Sequence, residues 1–166
     1  MKDATDIMMD GEMPHGEAQG GGRLVRRSRA YLRAVVDAAV TTVCPIMCRR
    51  GHRLTVSLPC EAVAVNADPR HLEQVLTTLL VNAARFAHAR GYVDLIAAQT
   101  AAGLIIRVRD DGMGISSWAL PHMFEDSNTA LALSRLLIEL DGGAILARSD
   151  GLGAGAEFVV VIPGND

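Results

Sequence analysis

Apolar residues recur at helical spacing in three stretches of the chain, and each stretch is predicted to form an amphipathic helix. The first covers residues 24–49 and contains Pro45, which should remove one hydrogen bond or bend the axis near its end. The second covers 68–88, where an Asp-Pro pair supplies a capping carboxylate and a residue suited to a first turn. The third covers 129–140, with Asn128 as its candidate N-cap.

Shorter apolar segments lie between and after these helices and are predicted to form strands. The segments are 52–58, 63–65, 92–98, 104–108, 144–148 and 157–162. The second of them is a short partner for the first, and the third and fourth form an antiparallel hairpin. One helix followed by two strands recurs along the chain, which predicts a two-layer α/β sandwich: a mixed, mostly antiparallel sheet with three helices on one face.

The composition is that of a single globular domain. The chain has 166 residues, of which 49% are hydrophobic and 21% are charged. Residues 1–23 are rich in glycine and show no helical or strand period, so they are interpreted as a flexible leader or the end of an upstream domain. Residues 24–166 are predicted to form the one domain.

Charge and composition exclude several kinds of partner. A formal net charge of -3 leaves no basic field for a polyanion, and only 4% of residues are aromatic, so no nucleic-acid partner is expected. No uninterrupted apolar run approaches the roughly 18 to 20 residues of a membrane span, and no signal peptide is recognisable. We therefore expect a cytoplasmic protein without direct membrane contact.

The cysteines are Cys44, Cys48 and Cys60, an odd number without a second ligand pair. Cys44 and Cys48 are four residues apart in the first predicted helix, and all three are expected to be buried, reduced thiols. A metal site that includes His52 is a less favoured alternative, because the spacing is irregular.

Two positions carry residue types suited to ligand binding. Asp110 ends a predicted strand and precedes Gly112 and Gly114, an arrangement in which a carboxylate could accept a hydrogen bond from an exocyclic amine such as that of adenine. Asn82 offers a carbonyl oxygen that could join a Mg²⁺ shell completed by phosphates and water. Alternatively, Asp110 caps its own glycine turn and Asn82 bonds to neighbouring backbone.

Segments with polar and glycine residues follow one another at 72–86, 108–115, 120–125 and 131–158. In this order they resemble the N box, the G1 box, the F box and the end of the ATP-binding domain of histidine kinases, in the GHKL superfamily. The resemblance covers roughly residues 29–163 and implies the Bergerat fold, an α/β sandwich that agrees with the order of elements predicted above.

The resemblance also implies roles for individual residues. Asp110 would bond the adenine amine, and Gly112 and Gly114 would shape the floor of the pocket. Phe86 occupies the position of an aromatic residue that lines it. On the phosphate side, Asn82 would ligate Mg²⁺.

Arg85 occupies the position of a basic residue that reaches the phosphates. On this phosphate side of the site the chain departs from the family. The second glycine box reads Asn128 to Leu131 without glycine, so Ala130 could obstruct phosphate and Asn128 could cap the amides that phosphate would occupy. The ATP lid is reduced to 125–127, which adds two carboxylates. Thr78 replaces the first Asn of the N box, and Ala156 stands where a Thr commonly helps hold adenine.

Two functions remain open at this point. The first is the ATP-binding catalytic domain of a two-component sensor histidine kinase, which would use Mg-ATP to phosphorylate a histidine on another domain or chain and so serve a response regulator. None of the five histidines lies in a phosphoacceptor motif, so the chain should not phosphorylate itself, and no catalytic residue is assigned. The alternative is a degenerate module of the same fold that acts by protein interaction in a phosphorelay.

Overall fold

The computed structural model describes residues 30–164, which form three α-helices, a short 3₁₀ helix and five strands. The leader predicted at 1–23 lies outside the described residues. In chain order the elements are α1 (Leu32–Arg50), β1 (Arg53–Ser57), α2 (Pro69–Phe86), β2 (Tyr92–Thr100), β3 (Gly103–Asp110), the 3₁₀ helix (Leu120–His122), α3 (Ala130–Leu140), β4 (Ala144–Arg148) and β5 (Ala156–Pro163). None of these helices is both long enough and apolar enough to cross a membrane.

The five strands form one mixed sheet in the order β1-β2-β3-β5-β4. Only β1 and β2 run parallel, and the other neighbours are antiparallel. The three helices cover one face, so the predicted two-layer sandwich and the predicted hairpin of β2 and β3 are confirmed. The register places Val93 and Ala156 on either side of Asp110, which sets the end of β3 in the middle of the sheet.

The core lies between α2 and the sheet. Leu72, Leu76 and Leu79 on α2 are fully buried and face buried residues such as Leu95 on β2 and Ile106 on β3. Helices α1 and α3 pack on either side of α2. Because α2 is central, the residues at its carboxyl end are held firmly against the end of β3.

The ends of α2 and α3 are capped by side chains. Asp68 accepts a hydrogen bond from the amide of Arg70 at 2.8 Å, as the Asp-Pro pair predicts. The prediction that Asn128 caps α3 is wrong, since Thr129 is the N-cap and its hydroxyl oxygen accepts from the amide of Ala132 at 3.2 Å. The amide of Asn128 instead donates to the Asp126 carboxylate at 3.0 Å, which holds Asn128 outside the helix.

The cap of α3 gives a matched pair of variants. Thr129→Ala should lower the free energy of unfolding by about 1 kcal/mol, because one amide of the first turn loses its acceptor. Asn128→Ala should leave it nearly unchanged. Denaturant titrations of the two variants and the parent chain check this, and equal losses would show that Thr129 is not the operative cap.

The predicted start of the first helix and the predicted strand at 63–65 are both wrong, for one reason. Tyr31 is extended and forms an isolated antiparallel bridge with Ala64, and the amide of Leu32 donates to the Val63 carbonyl at 2.9 Å. The segment at 63–65 therefore pairs with the residues that precede α1, and α1 begins at Leu32 instead of Leu24. Pro45 lies inside α1 without ending it.

The cysteines are reduced but exposed, so the prediction of buried thiols is wrong. Cys44 and Cys48 lie on the solvent side of α1 with their sulfur atoms 3.7 Å apart, and this hydrogen bond raises the pKa of the Cys44 thiol. Nε2 of His52 donates to the Ala84 carbonyl at 2.9 Å. Residues 30–164 contain no cluster of three or more side chains that could hold a metal ion, so the alternative of a site around these cysteines and His52 is not supported there.

Candidate functional site

A cavity of about 290 Å³ opens beside the carboxyl end of β3. Its walls come from α2, the glycine turn after β3, the segment before α3, and β5. The lining residues are Asn82, Phe86, Asp110, Gly114, Ile115, Ser116, Ala119, Met123, Leu152, Ala156 and Phe158. Most of these side chains are apolar, so the carboxylate of Asp110 and the amide of Asn82 are the features that would orient a ligand.

Asp110 is the buried charge of this site. It is only 5% exposed, and one of its carboxylate oxygens accepts from the amide of Gly112 at 2.9 Å. Burial raises the pKa of Asp110, while hydrogen bonds from the amides of Gly112 and Ala156 oppose the shift. Asp110 therefore caps its own turn, and it also lines the cavity, where a carboxylate has further acceptor positions.

The two glycines after Asp110 are required by close packing. A Cβ atom at Gly112 would overlap the carbonyl of Phe86, and the next amide, that of Met113, donates to this same carbonyl at 3.0 Å. Gly114 has a φ of +67°, and a Cβ there would overlap the carbonyl of Gly151. Gly114 lines the cavity, whereas Gly112 is buried and fixes the turn against α2.

The carboxyl-terminal half of α2 supplies the predicted polar border. Asn82 is half-buried and lines the cavity, as does Phe86, which is 45% exposed. Arg85 is exposed and does not line the cavity; its guanidinium carbon lies 5.6 Å from the centre of the Phe86 ring. This contact places the Arg85 charge against an aromatic residue of the cavity wall.

A second glycine-rich turn, 149–155, braces the first. The hydroxyl oxygen of Ser149 accepts from the amide of Ile115 at 2.9 Å, and the hydroxyl donates to the Gly155 carbonyl at 2.7 Å. The amide of Gly155 donates to the Gly112 carbonyl at 3.0 Å. These contacts join the turn after β3 to the turn before β5.

Sequence reasoning missed several residues of the cavity wall. They are Ile115, Ser116, Ala119, Met123, Leu152 and Phe158. The sequence does indicate where this wall lies, because one glycine-rich segment follows β3 and another precedes β5, and these two strands pair with each other. Neighbouring antiparallel strands bring such segments together at one edge of the sheet.

The segment before α3 is short and hydrogen-bonded to itself. The carbonyl of Asp126 accepts from both the amide of Thr129, at 3.0 Å, and its hydroxyl, at 2.8 Å. A carboxylate oxygen of Glu125 lies 2.6 Å from Nδ1 of His122. Neither acidic side chain lines the cavity. The edge-to-face contact of Phe124 with Phe158, with ring centres 6.3 Å apart, anchors this segment on the sheet.

An α/β sandwich with a buried carboxylate at a strand end, between two glycine turns and over an apolar cavity, agrees with the class that the sequence resembles, the histidine kinase-like ATP-binding domains. The model of the family described as histidine kinase-, DNA gyrase B-, and HSP90-like ATPase matches residues 67–166. The chain belongs to this family, as the resemblance indicates.

Individual relatives are sensor histidine kinases. The chain is 40% identical over 111 residues to the circadian input-output histidine kinase CikA of Synechocystis sp., a match that covers 58% of this chain and 15% of CikA. The chain thus spans a small part of this relative.

Solved structures share the fold. The catalytic domain of the histidine kinase ThkA matches with a TM-score of 0.74 at 19% identity, covering 82% of this chain and 95% of that one. Full-length ShkA in complex with AMPPNP matches with a TM-score of 0.71 at 23% identity, covering 84% of this chain and 32% of that one.

Proposed function

We propose that this chain is the nucleotide-binding catalytic domain of a cytoplasmic sensor histidine kinase, and that it binds Mg-ATP in the cavity beside β3. The observation that carries the proposal is Asp110, a buried carboxylate on the wall of an otherwise mostly apolar cavity. Burying an ionisable group is costly, and such groups cluster at binding sites, so a ligand that donates to this carboxylate accounts for its position.

Adenine fits this environment chemically. Its exocyclic amine would donate to Asp110, and its flat ring would lie against apolar wall residues such as Ile115, Met123 and Phe158. The volume of about 290 Å³ lies at the lower end of ligand pockets. The base would therefore be enclosed, and the phosphates would extend beyond the cavity towards more polar surface.

Asn82 is the residue that would hold Mg²⁺. It is half-buried on the cavity wall and presents one neutral oxygen. Among residues 30–164 no group of three or more His, Cys, Asp or Glu side chains forms a ready-made metal site. This donor set suits Mg²⁺, which prefers oxygen ligands and keeps several from phosphates and water. When bound, the ion would neutralise phosphate charge, and Arg85 would contribute a second positive charge at the mouth of the cavity.

The phosphoryl acceptor would be a histidine on another domain or chain, which would in turn serve a response regulator. None of the five histidines of the chain lies in a phosphoacceptor motif. Two of them are also engaged in contacts, since His122 pairs with Glu125 and Nε2 of His52 is bonded to backbone. Incubating the chain with γ-labelled ATP and a separate histidine phosphoacceptor domain tests this. We expect label on the added domain and none on the chain, and label on neither would contradict the proposed transfer.

The affinity for nucleotide should depend on pH. Nucleotide affinity should fall as the pH is lowered through the raised pKa of Asp110, because the protonated carboxyl is a weaker acceptor for the adenine amine. Titrations of ADP over a series of pH values measure this. In the Asp110→Asn variant the same loss at low pH should be absent, and an identical pH profile in both proteins would assign the effect to another group.

A further inference from the structure

The face of the sheet turned away from the helices carries one charged residue on each of four adjacent strands. Asp94 on β2 is opposite Arg109 on β3, Arg109 is opposite Glu157 on β5, and Glu157 is opposite Arg148 on β4. The four residues therefore form a row across the sheet, which we call the charged row. Its signs alternate in the order negative, positive, negative, positive.

The members of the charged row are not paired with one another. Residues directly opposite on neighbouring strands have Cβ atoms about 5 Å apart, so ion pairs along the row would be feasible. Among residues 30–164, however, the ion pairs within 4 Å are His71 with Asp141, His122 with Glu125, and Arg135 with Glu139. None of the four charges thus takes part in an ion pair within the described part of the chain.

Aliphatic residues and one further charged residue, the exposed Arg107, fill the next two rows of the same face. The first of these rows consists of Ile96, Arg107, Val159 and Leu146, and the second consists of Ala98, Ile105, Val161 and Ala144. Ile96 and Leu146, on the outer strands of this group, are 46% and 47% exposed. The three rows together are called the outer face below. The outer face combines exposed apolar surface with charges of both signs.

We propose that the outer face binds the outer face of a second copy of this chain, about a two-fold axis that runs parallel to the strands and passes between β3 and β5. Such a rotation reverses the order of the strands, so β2 faces β4 of the second copy and β3 faces its β5. Asp94 then lies opposite Arg148 of the second copy, and Arg109 lies opposite its Glu157. Every charge of the row meets its opposite.

The alternating charges of the row favour a second copy of the chain as the partner, and they favour a two-fold axis parallel to the strands. A two-fold axis across the strands and along the charged row would set Asp94 against Asp94 and Arg148 against Arg148, which is unfavourable. In the proposed arrangement Ile96 also faces Leu146 of the second copy, so these two exposed aliphatic residues are covered as the four charges of the row pair. Arg107 lies opposite Val159 of the second copy. Sheets that pack face to face lie about 10 Å apart, a distance that long arginine side chains can span.

This association goes beyond nucleotide binding and does not depend on it. The cavity lined by Asn82 and Asp110 lies on the helical side of the sheet, so both copies would keep it open on opposite outer surfaces of the dimer. A cavity of about 250 Å³, lined among others by Arg109, Arg148, Asp150 and Glu157, adjoins the charged row.

Sedimentation velocity of the full chain, from micromolar to millimolar concentration at low salt, tests the proposal. We expect a monomer–dimer equilibrium that weakens as salt is raised. Arg148→Asp and Asp94→Arg should each raise the dissociation constant about tenfold or more, since each sets two pairs of like charges against each other. The double variant, in which the two charges are exchanged, should restore the dimer.

Arg70→Asp, a reversal at an exposed position of α2, is the matched control and should leave the dimer unchanged. Thermal unfolding of each variant checks that the fold is kept, and either single variant suffices if the other fails to fold. A chain that stays monomeric to millimolar concentration would overturn the proposal. So would a dimer that ignores both single reversals, or a double variant that does not recover.

Discussion

Replacing Asp110 with Asn is expected to weaken ADP binding by about tenfold to a hundredfold and to leave the fold intact. A hydrogen bond to a charged acceptor contributes about 1.5–3 kcal/mol, and the variant replaces that acceptor with a neutral one. The side chains have the same shape, so the remaining oxygen can still accept from the amide of Gly112. Calorimetric titration of both proteins measures the change.

The same variant should be more resistant to heat near neutral pH. Burial raises the pKa of Asp110 above that of the unfolded chain, so the folded protein favours the protonated form. The stabilisation from that proton is present at low pH and is lost as the pH rises through the raised pKa. Asn cannot ionise, so the variant does not lose this stability as the pH rises. Its melting temperature should exceed that of the parent chain at neutral pH and differ less from it under acid conditions.

Asp111→Asn is the matched control for the effect on ADP binding. Asp111 is the adjacent carboxylate, but it does not line the cavity. ADP affinity should therefore stay near that of the parent chain. Equal affinity in Asp110→Asn and the parent would remove Asp110 from the binding site, and equal losses in the two variants would point to general electrostatics instead of a direct hydrogen bond.

Replacing Gly112 with Ala is expected to destabilise the chain strongly and to abolish nucleotide binding with it. The added methyl group would overlap the carbonyl of Phe86, which also accepts the amide of Met113. Overpacking of this kind costs about 1–3 kcal/mol, and we expect the upper end because the neighbour is backbone and cannot rotate away. The end of α2 and the turn after β3 would have to separate.

Gly153→Ala separates this effect from the general cost of replacing a glycine. Gly153 has a φ of +81° but faces open space, so the substitution adds backbone strain without a clash. It should cost less than Gly112→Ala in denaturant titrations and should leave a measurable affinity for ADP. If Gly112→Ala unfolds at the denaturant concentration of the parent, the close contact with Phe86 is not a determinant of stability.

Local chemistry explains why α2 and the hairpin could be predicted from sequence. Asp68 and Pro69 mark a helix start whose capping bond requires no tertiary information, and the apolar stripe of α2 has a clear period. A glycine between two apolar segments marks the β2–β3 turn in the same way. The place of Asp110 in the site could be predicted for the same reason, because it is the last residue of β3 and its position in the hairpin determines its neighbours.

Other features depend on contacts that the sequence does not display. Asn128 and Thr129 are both good capping residues, and the choice falls on Thr129 because Asp126 takes the amide of Asn128. The segment at 63–65 has strand-forming residues, but its partner lies more than thirty residues earlier in the chain. The pairing of this segment is set by tertiary packing and not by propensity.

The exposure of the Cys44 and Cys48 thiols follows from the helical period of α1. Val43 and Met47 are buried on α1, and Cys44 and Cys48 follow each of them by one residue. One residue corresponds to a turn of about 100°, which carries the thiols off the buried face. The position of Arg85 outside the cavity could not be predicted from the helical period, since it depends on the contact of its side chain with Phe86.

A calorimetric titration of the full chain with ADP and ATP in the presence of Mg²⁺ tests the central proposal most directly. We expect saturable binding to one site with a measurable heat, a rise in melting temperature, and a marked weakening of both effects in Asp110→Asn. The absence of heat and of any thermal shift at millimolar nucleotide would contradict it.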